Sequence, residues 1–165
     1  MKICRFPDPI LKQPTHLIER IDDELLRTID RLVATMRAHP RCVGLAAPQV
    51  GIGRRLAVMD ASVHPKMGAG SHGLLVMINP KILSADGQSI QREGCLSIPD
   101  FTANVGRSTR VHVRTWDQDG GIRELRLEDF EAIVSQHEID HLDGKLFLDP
   151  VANLATDVFK RKSYG

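Results

Sequence analysis

The clearest hydrophobic pattern in the chain lies near the N-terminus, where apolar positions recur at spacings of three and four over residues 22–38. Asp22 is a suitable N-cap, two acidic residues follow it at the positive end of the helix dipole, and Pro40 ends the pattern. The sequence therefore predicts an amphipathic helix. Its apolar face consists of Leu25, Leu26, Ile29, Leu32, Val33 and Met36.

The middle of the chain has the alternating and β-branched character of strands. The predicted strands are residues 55–60, 74–79, 81–84, 88–92, 110–117 and 122–127. The second and third are expected to pair by turning at Pro80, and the last two to form a hairpin across the Asp-Gly-Gly turn at 119–121. Within that hairpin His112 alternates with valines and is expected to face solvent.

The two ends and one internal segment have different signals. Prolines interrupt residues 1–15, which predicts an irregular segment over the surface, whereas residues 151–160 follow Asp-Pro and predict a short terminal helix. Residues 61–73 are rich in Gly and Ser and predict a loop, with His64 and His72 solvated. The order of elements predicts an α+β fold, in which antiparallel β-sheets pack around a central helix, with N-terminal and C-terminal helices.

Composition limits the classes of protein that fit. A chain of 165 residues, 42% of them hydrophobic, suits one domain over residues 1–165. A net charge of +1 gives no electrostatic case for a nucleic-acid site. No apolar run approaches the roughly 18 residues of a membrane span and no signal-peptide core is present, so no membrane is expected and the cytoplasm is the default location. Three cysteines, an odd number, fit reduced thiols and a metal ligand better than disulfides.

The central helix carries the most informative motif, QHEIDH at residues 136–141. Histidines four residues apart share one face of a helix, so His137 and His141 can reach one metal ion with Glu138 beside it. The alternative is a solvated helix with incidental histidines. Apolar residues at seven, four and three positions before the first histidine continue its face and favour a buried metal-binding helix. They are Phe130, Ile133 and Val134.

Two histidines do not complete a site, because catalytic metal centres usually have three protein ligands and a position for water. Zincin proteases take the third ligand from downstream, but Phe147 occupies the position of their last histidine and no glutamate follows Glu138. A downstream aspartate stays possible. A better candidate lies upstream, in EGCLS at residues 93–97, where Cys95 is preceded by glycine and the segment is bounded by Pro99.

Three segments together resemble the signature motifs of the peptide deformylase family: GLAAPQ at 44–49, EGCLS at 93–97 and QHEIDH at 136–141. Their order and approximate spacing match, and the likeness extends over most of the chain. One departure is Cys42, which stands where the family often has glycine and is not expected to be a ligand. The resemblance implies removal of the formyl group from the N-terminal methionine of nascent polypeptides, near the ribosome. It also implies one Fe²⁺ ion per chain, with Zn²⁺, Ni²⁺ or Co²⁺ as substitutes.

The resemblance and the residue chemistry assign the same roles. The metal ligands are Cys95, His137 and His141. Glu138 acts as general base and acid, and the Leu96 backbone N–H and the Gln49 amide stabilise charge on the formyl oxygen. Substrate contacts are expected from Val43, Gly44, Glu93, Gly94, Phe130, Ile133 and Val134, the last three as a pocket for methionine. A supporting ion pair between Arg107 and Asp140 is a weaker suggestion, no better supported than plain surface roles.

Two rival functions remain at this point. A metalloprotease of the H-E-x-x-H type would use the same helix, although the downstream ligand of that class is missing. A catalytically inactive metal-binding module would need the three ligands but would have no need for Glu138.

Overall fold

The amphipathic N-terminal pattern forms helix α1, Asp23–Ala38, in the computed structural model, which describes residues 1–67 and 70–161. The Asp22 side chain accepts a hydrogen bond from the Leu25 backbone N–H at 2.9 Å and so caps the helix. The predicted apolar face includes the fully buried Leu25 and Leu32. The predicted helix is therefore confirmed to within one residue.

Eight strands, two further α-helices and short 3₁₀ helices make up the other regular elements of the described residues. The strands are β1 (Gly44–Ala46), β2 (Leu56–Asp60), β3 (Leu74–Asp86), β4 (Ser89–Cys95), β5 (Ile98–Arg107), β6 (Arg110–Trp116), β7 (Ile122–Glu128) and β8 (Val158–Lys160). The later helices are α2 (Asp129–Leu142) and α3 (Leu154–Asp157). A five-stranded antiparallel sheet has the order β1-β2-β3-β6-β7, and a three-stranded antiparallel sheet has the order β4-β5-β8. Strands β1 and β4 are both edge strands.

The predicted hairpin is confirmed by the pairing of β6 with β7, which brings Val113 opposite Leu125 on the buried face. His112 lies on the other face, as expected, where its Nε2 atom is 2.9 Å from the Glu124 carboxylate. Period-two alternation along both strands produces this separation of apolar and polar side chains.

The expected turn at Pro80 is wrong, because β3 continues through it. Asn79 takes a positive φ of 52°, and the register with β6 shifts between Ile78 and Lys81. Proline has no N–H for the ladder, so the strand accommodates it with an irregularity instead of reversing. The Pro80 carbonyl accepts hydrogen bonds from the Arg55 guanidinium at 2.9 and 3.0 Å.

The predicted terminal helix over residues 151–160 is also wrong in extent. Only α3 is helical, and the next three residues pair with β5 as β8. His72 is exposed, as expected, and its Nδ1 atom lies 2.6 Å from the buried Glu131 carboxylate. The irregular N-terminal segment is as predicted apart from a short 3₁₀ helix, Pro9–Lys12, which buries Leu11 completely.

Helix α2 is central, because it packs against the five-stranded sheet and also carries the histidines that meet β4. Met77, Val134 and Ile139 belong to the core between the helix and that sheet. Phe147, beyond the helix, joins Cys95 in the core of the second sheet. Each such apolar side chain contributes about 1.5–3 kcal/mol by leaving water. The architecture confirms the predicted α+β class. None of the helices in the described ranges is long and apolar enough to cross a bilayer.

Candidate active site

Helix α2 and the end of strand β4 bring three potential metal ligands together. The four-residue spacing puts the His137 and His141 rings 5.0 Å apart, centroid to centroid. Cys95 is the last residue of β4, and its sulfur atom lies 3.3 Å from His141 Nε2. The ligand atoms of all three residues lie within 4.8 Å of one another. The structure thus brings together the predicted ligand set from two distant parts of the sequence.

The geometry and chemistry of this cluster fit a divalent metal ion. Tetrahedral bonds of about 2.0–2.3 Å place N and S ligands roughly 3.3–3.8 Å apart, close to the observed 3.3 Å between Cys95 and His141. Burial alone would raise the pKa of the Cys95 thiol, but the charges and hydrogen bonds of His141 and His137 outweigh it and hold that pKa well below its ordinary value. The cysteine is therefore set up as a thiolate, the form that binds metal.

A buried ionic network orients the first histidine. His137 Nδ1 lies 2.9 Å from a Glu93 oxygen, so the ring donates there and keeps Nε2 for a metal. Arg107 binds both Glu93 oxygens, at 2.7 and 3.0 Å, and also reaches Asp140. Although burial opposes ionisation, His137 and Arg107 lower the pKa of Glu93 to about 2. The suggested Arg107–Asp140 pair is confirmed.

This network gives Glu93 a different position from the one expected. It borders the cavity, but both of its oxygens are already engaged by Arg107 and His137. It is placed to orient a ligand instead of contacting a substrate. No sequence spacing could have shown this, because the network links residues from β4, β5 and α2.

Glu138 is the buried acid next to the ligand cluster. The residue is only 3% exposed, and its Oε2 atom has no hydrogen-bond partner among the described residues. Burial raises the pKa of Glu138 to about 7, against the lowering effect of the two histidines. A buried carboxyl oxygen without a partner needs a water or a ligand group to satisfy it. A proton donor or acceptor working near neutral pH is therefore available in the site.

Gln49 reaches the cluster from the 3₁₀ helix Ala47–Val50, which follows β1. Its Oε1 atom accepts a hydrogen bond from the Ala46 backbone N–H at 2.9 Å. That bond orients the amide so that Nε2 lies 3.3 Å from the Cys95 sulfur and 3.3 Å from Ser97 Oγ. The amide nitrogen thus faces the Cys95 sulfur at the ligand cluster.

A cavity of about 420 Å³ opens beside these groups. All of the sequence-predicted substrate residues line it, and so do the donors Gln49 and Leu96. Phe130, Ile133 and Val134 form an apolar section of the wall, which suits an apolar side chain. The edge strands β1 and β4 contribute Gly44 and Gly94.

Sequence reasoning missed several residues of the cavity. His64, expected to be solvated, stacks on Phe130 with ring centroids 4.5 Å apart. The others are Pro40, Arg41, Cys42, Lys66, Gln91, Arg92 and Arg161. No motif joins these positions, and only Arg41, Lys66, Arg92 and Arg161 among them share a feature, their positive charge. Tertiary structure brings them together.

Comparison with known proteins gives one consistent result. The model of the polypeptide deformylase family matches residues 1–157. A peptide deformylase from Syntrophobacter fumaroxidans is 41% identical over 98% of this chain and 92% of its own length. The crystal structure of peptide deformylase from Thermotoga maritima superposes with a TM-score of 0.83 at 38% identity, covering 92% of this chain and 97% of that one. The Met-Ala-Ser-bound enzyme from Acinetobacter baumannii gives a TM-score of 0.85 at 32% identity, covering 92% and 98%.

Proposed function

The chain belongs to the polypeptide deformylase family, and from that membership we propose that Cys95, His137 and His141 hold one divalent metal ion at the catalytic site beside Glu138. The activity is a metal-dependent hydrolysis, which removes the N-formyl group from the initiator methionine of newly made polypeptides and releases formate. The observation that carries the proposed site is the convergence of three ligand atoms within 4.8 Å of one another.

When bound, a divalent ion acts as a Lewis acid and lowers the pKa of water toward neutrality. Glu138 then performs the proton transfers. With its pKa near 7 and one oxygen unpaired, it accepts a proton from the attacking water and passes it to the departing amine. Water adds to the formyl carbon, the C–N bond breaks, and formate and a free methionine amine result.

Charge that develops on the formyl oxygen needs hydrogen-bond donors fixed in advance. Gln49 Nε2 is fixed by the Ala46 contact, and we assign the second donor to the Leu96 backbone N–H next to Cys95. Removal of one such donor costs about 10²–10³-fold in turnover in other enzymes. We therefore expect that removing either of these two donors lowers turnover more than removing any other polar group of the cavity except Glu138.

The edge strands supply the peptide-binding surface. Val43 and Gly44 stand at the exposed edge of one sheet and Gly94 at the edge of the other, so an extended peptide can add between them through main-chain hydrogen bonds. The methionine side chain then enters the apolar section formed by Phe130, Ile133 and Val134. Glu93 acts indirectly, by orienting the metal ligand His137.

We assign Fe²⁺ as the physiological ion, with Zn²⁺, Ni²⁺ or Co²⁺ as substitutes. One thiolate and two imidazoles accept any of these ions, and the family resemblance favours iron. The substrates are nascent chains, which places the enzyme near the ribosome in the cytoplasm. A metalloprotease is not favoured, since the structure supplies Cys95 in place of a downstream ligand.

The proposal is tested by release of formate from formyl-Met-Ala-Ser, compared with acetyl-Met-Ala-Ser and unformylated Met-Ala-Ser. We expect rapid deformylation of the formyl peptide. For the acetyl peptide kcat/KM should be lower by about 10²-fold, because the tight backbone around Gly44 and Gly94 leaves no room for a methyl group. Glu138→Ala should keep its metal and lose about 10²-fold or more in turnover. Internal peptide cleavage, or a fully active Glu138→Ala, would contradict the assignment.

A further inference from the structure

Four cationic side chains surround the mouth of the cavity: Arg41, Lys66, Arg92 and Arg161. The acidic residues among its described lining are Glu93 and Glu138, at 8% and 3% exposure. Glu93 is already paired with a buried arginine, Arg107. The whole chain carries a net charge of only +1, so the excess of positive charge at the mouth of the cavity does not reflect the overall composition.

Arg92 is held in a defined position. Its guanidinium carbon lies 3.6 Å from the ring centroid of Phe159, a cation–π contact, and its Nη1 atom is 3.4 Å from Thr102 Oγ1. Phe159 is fixed in turn because β8 pairs with β5, with Phe159 opposite Thr102. The C-terminal strand thus builds part of the wall on which Arg92 rests.

Arg161 follows that strand directly. Its backbone N–H donates to the Asp100 carbonyl at 2.7 Å. Its guanidinium lies over Gly94, where a Cβ would overlap it. The Arg161 side chain therefore lies over the residue that precedes Cys95, on the wall along which the peptide is expected to run.

Lys66 approaches the same mouth from the loop after β2. Its ammonium lies 3.4 Å from Gln91 Oε1 and 6.0 Å from the Phe130 ring centroid. Within residues 1–67 and 70–161, none of the four cations has a carboxylate within 4.0 Å. Positive charges that converge on a concave surface without counter-charges attract an anionic ligand.

We propose that this rim is an acidic-side-chain subsite, which makes the enzyme prefer formyl-methionyl chains with Asp or Glu at the second or third residue. The inference rests on the proposed function. With methionine in the apolar section, each further residue advances about 3.3 Å along an extended peptide. The second and third side chains then leave the space between Gly44 and Gly94 and reach the cationic rim.

The test uses C-terminally amidated peptides, so that a side-chain carboxylate is the only anion. Formyl-Met-Asp-Ala-amide and formyl-Met-Ala-Asp-amide are each compared with the isosteric Asn peptide. At low salt we expect kcat/KM for at least one Asp peptide to exceed its Asn partner about 5-fold, mainly through KM, with the ratio approaching 1 in about 0.5 M salt. Arg92→Gln combined with Arg161→Gln should reduce the ratio to below about 2.

The matched control is Arg123→Gln, an exposed arginine on β7 that does not line the cavity. It should keep the full preference. Equal kcat/KM for Asp and Asn peptides at low salt, or a preference that survives in the double variant, would overturn the subsite. Deformylation of the Asn peptides reports the basic activity separately. Failure on every formyl peptide would count against the proposed function, whereas failure of the Asp/Asn ratio alone would count only against the subsite.

Discussion

Gly44 presents only hydrogen to the carboxyl group of Glu138, because a Cβ at position 44 would overlap the Oε1 oxygen and the carboxyl carbon. Gly44 is fixed by its pairing opposite Met59 on β2, and Glu138 is enclosed with 3% exposure. The β1 backbone at Gly44 thus lies directly against the buried acid of the site, to which we assign the proton transfers.

Gly44→Ala should displace the Glu138 carboxyl group and reduce kcat/KM by about 10–100-fold, because small misplacements of a catalytic group are costly. Metal content should stay at one ion per chain. Gly53→Ala is the matched control, since nothing lies within 4 Å of a Cβ there. Steady-state kinetics and metal analysis on both variants check this. A Gly44→Ala enzyme within twofold of the parent would show that Glu138 tolerates the intrusion.

Cys95→Ala should lose both the metal and the activity, whereas Cys4→Ala and Cys42→Ala should keep about one metal per chain. Burial raises the pKa of Cys42 to about 12, and its thiol donates to the Gly44 carbonyl at 3.1 Å. A neutral thiol of this kind is a poor ligand. Elemental analysis of folded protein decides the point, and full metal retention in Cys95→Ala would remove Cys95 from the site.

Glu93→Gln should weaken metal binding by about 10–100-fold, because the charged group that orients His137 is lost. It should also destabilise the fold by about 3–5 kcal/mol, since Arg107 loses the principal partner of a buried charge. Glu124→Gln, at an exposed ion pair with Arg114, should change stability by no more than about 0.5 kcal/mol. Competition with a chelator and thermal unfolding measure the two effects. Unchanged metal affinity in Glu93→Gln would leave Glu93 without an orienting role.

The sequence was most informative where a pattern is local. Helix α1 and the β6–β7 hairpin follow from periodicity, and three short motifs identify the cluster. Pro80 was misread because proline in an interrupted strand and proline in a turn have the same local signal. Strand β5 was missed, since residues such as Asn104 and Gly106 have low strand propensity and are held by pairing with β4.

The cationic rim could not be predicted from the sequence, for a related reason. Arg161 reaches the cavity only because β8 pairs with β5, and this pairing replaces the last three residues of the predicted terminal helix. Lys66 reaches the cavity from a loop, and the periodicity of apolar residues does not predict the path of a loop. The network around Glu93 similarly joins three elements that are distant in the chain.

Asp149→Asn should lower stability at pH 7 but not in acid. Burial would raise the pKa of Asp149, but hydrogen bonds from the Leu146 N–H at 2.6 Å and from Lys12 at 2.7 Å lower it. A depressed pKa in the folded state contributes stability above the unfolded value of about 3.9, and this contribution is lost as the pH falls through the folded value.

Because the Asp149 side chain is 41% exposed, solvent screening limits the loss in Asp149→Asn to about 1 kcal/mol. Thermal unfolding at about pH 7 and at stepwise lower pH should show the difference from the parent shrinking below about pH 4. Asp119→Asn, in the exposed hairpin turn, is the control and should change little. A destabilisation of equal size at every pH would show that the charge of the Asp149 carboxylate does not contribute to stability.

The last prediction concerns the metal, which the ligand atoms alone do not determine. Cys95, His137 and His141 suit zinc and also accept iron. An Fe²⁺ centre with a thiolate ligand reacts with dioxygen, which can oxidise the ion and then Cys95, whereas zinc has no redox chemistry. Protein loaded anaerobically with Fe²⁺ should therefore be the faster form and lose activity in air. The Ni²⁺ form should be active and stable in air, and the Zn²⁺ form stable but slower.

Turnover of a formyl-methionyl peptide is measured for each metal form before and after exposure to air, with metal content determined in the same samples. Mass spectrometry of Cys95 adds a readout independent of turnover, because thiolate oxidation adds oxygen atoms to the iron-loaded protein alone. An iron form no faster than the zinc form, or one indifferent to oxygen, would mean that this chain is a zinc enzyme despite the resemblance that favours iron.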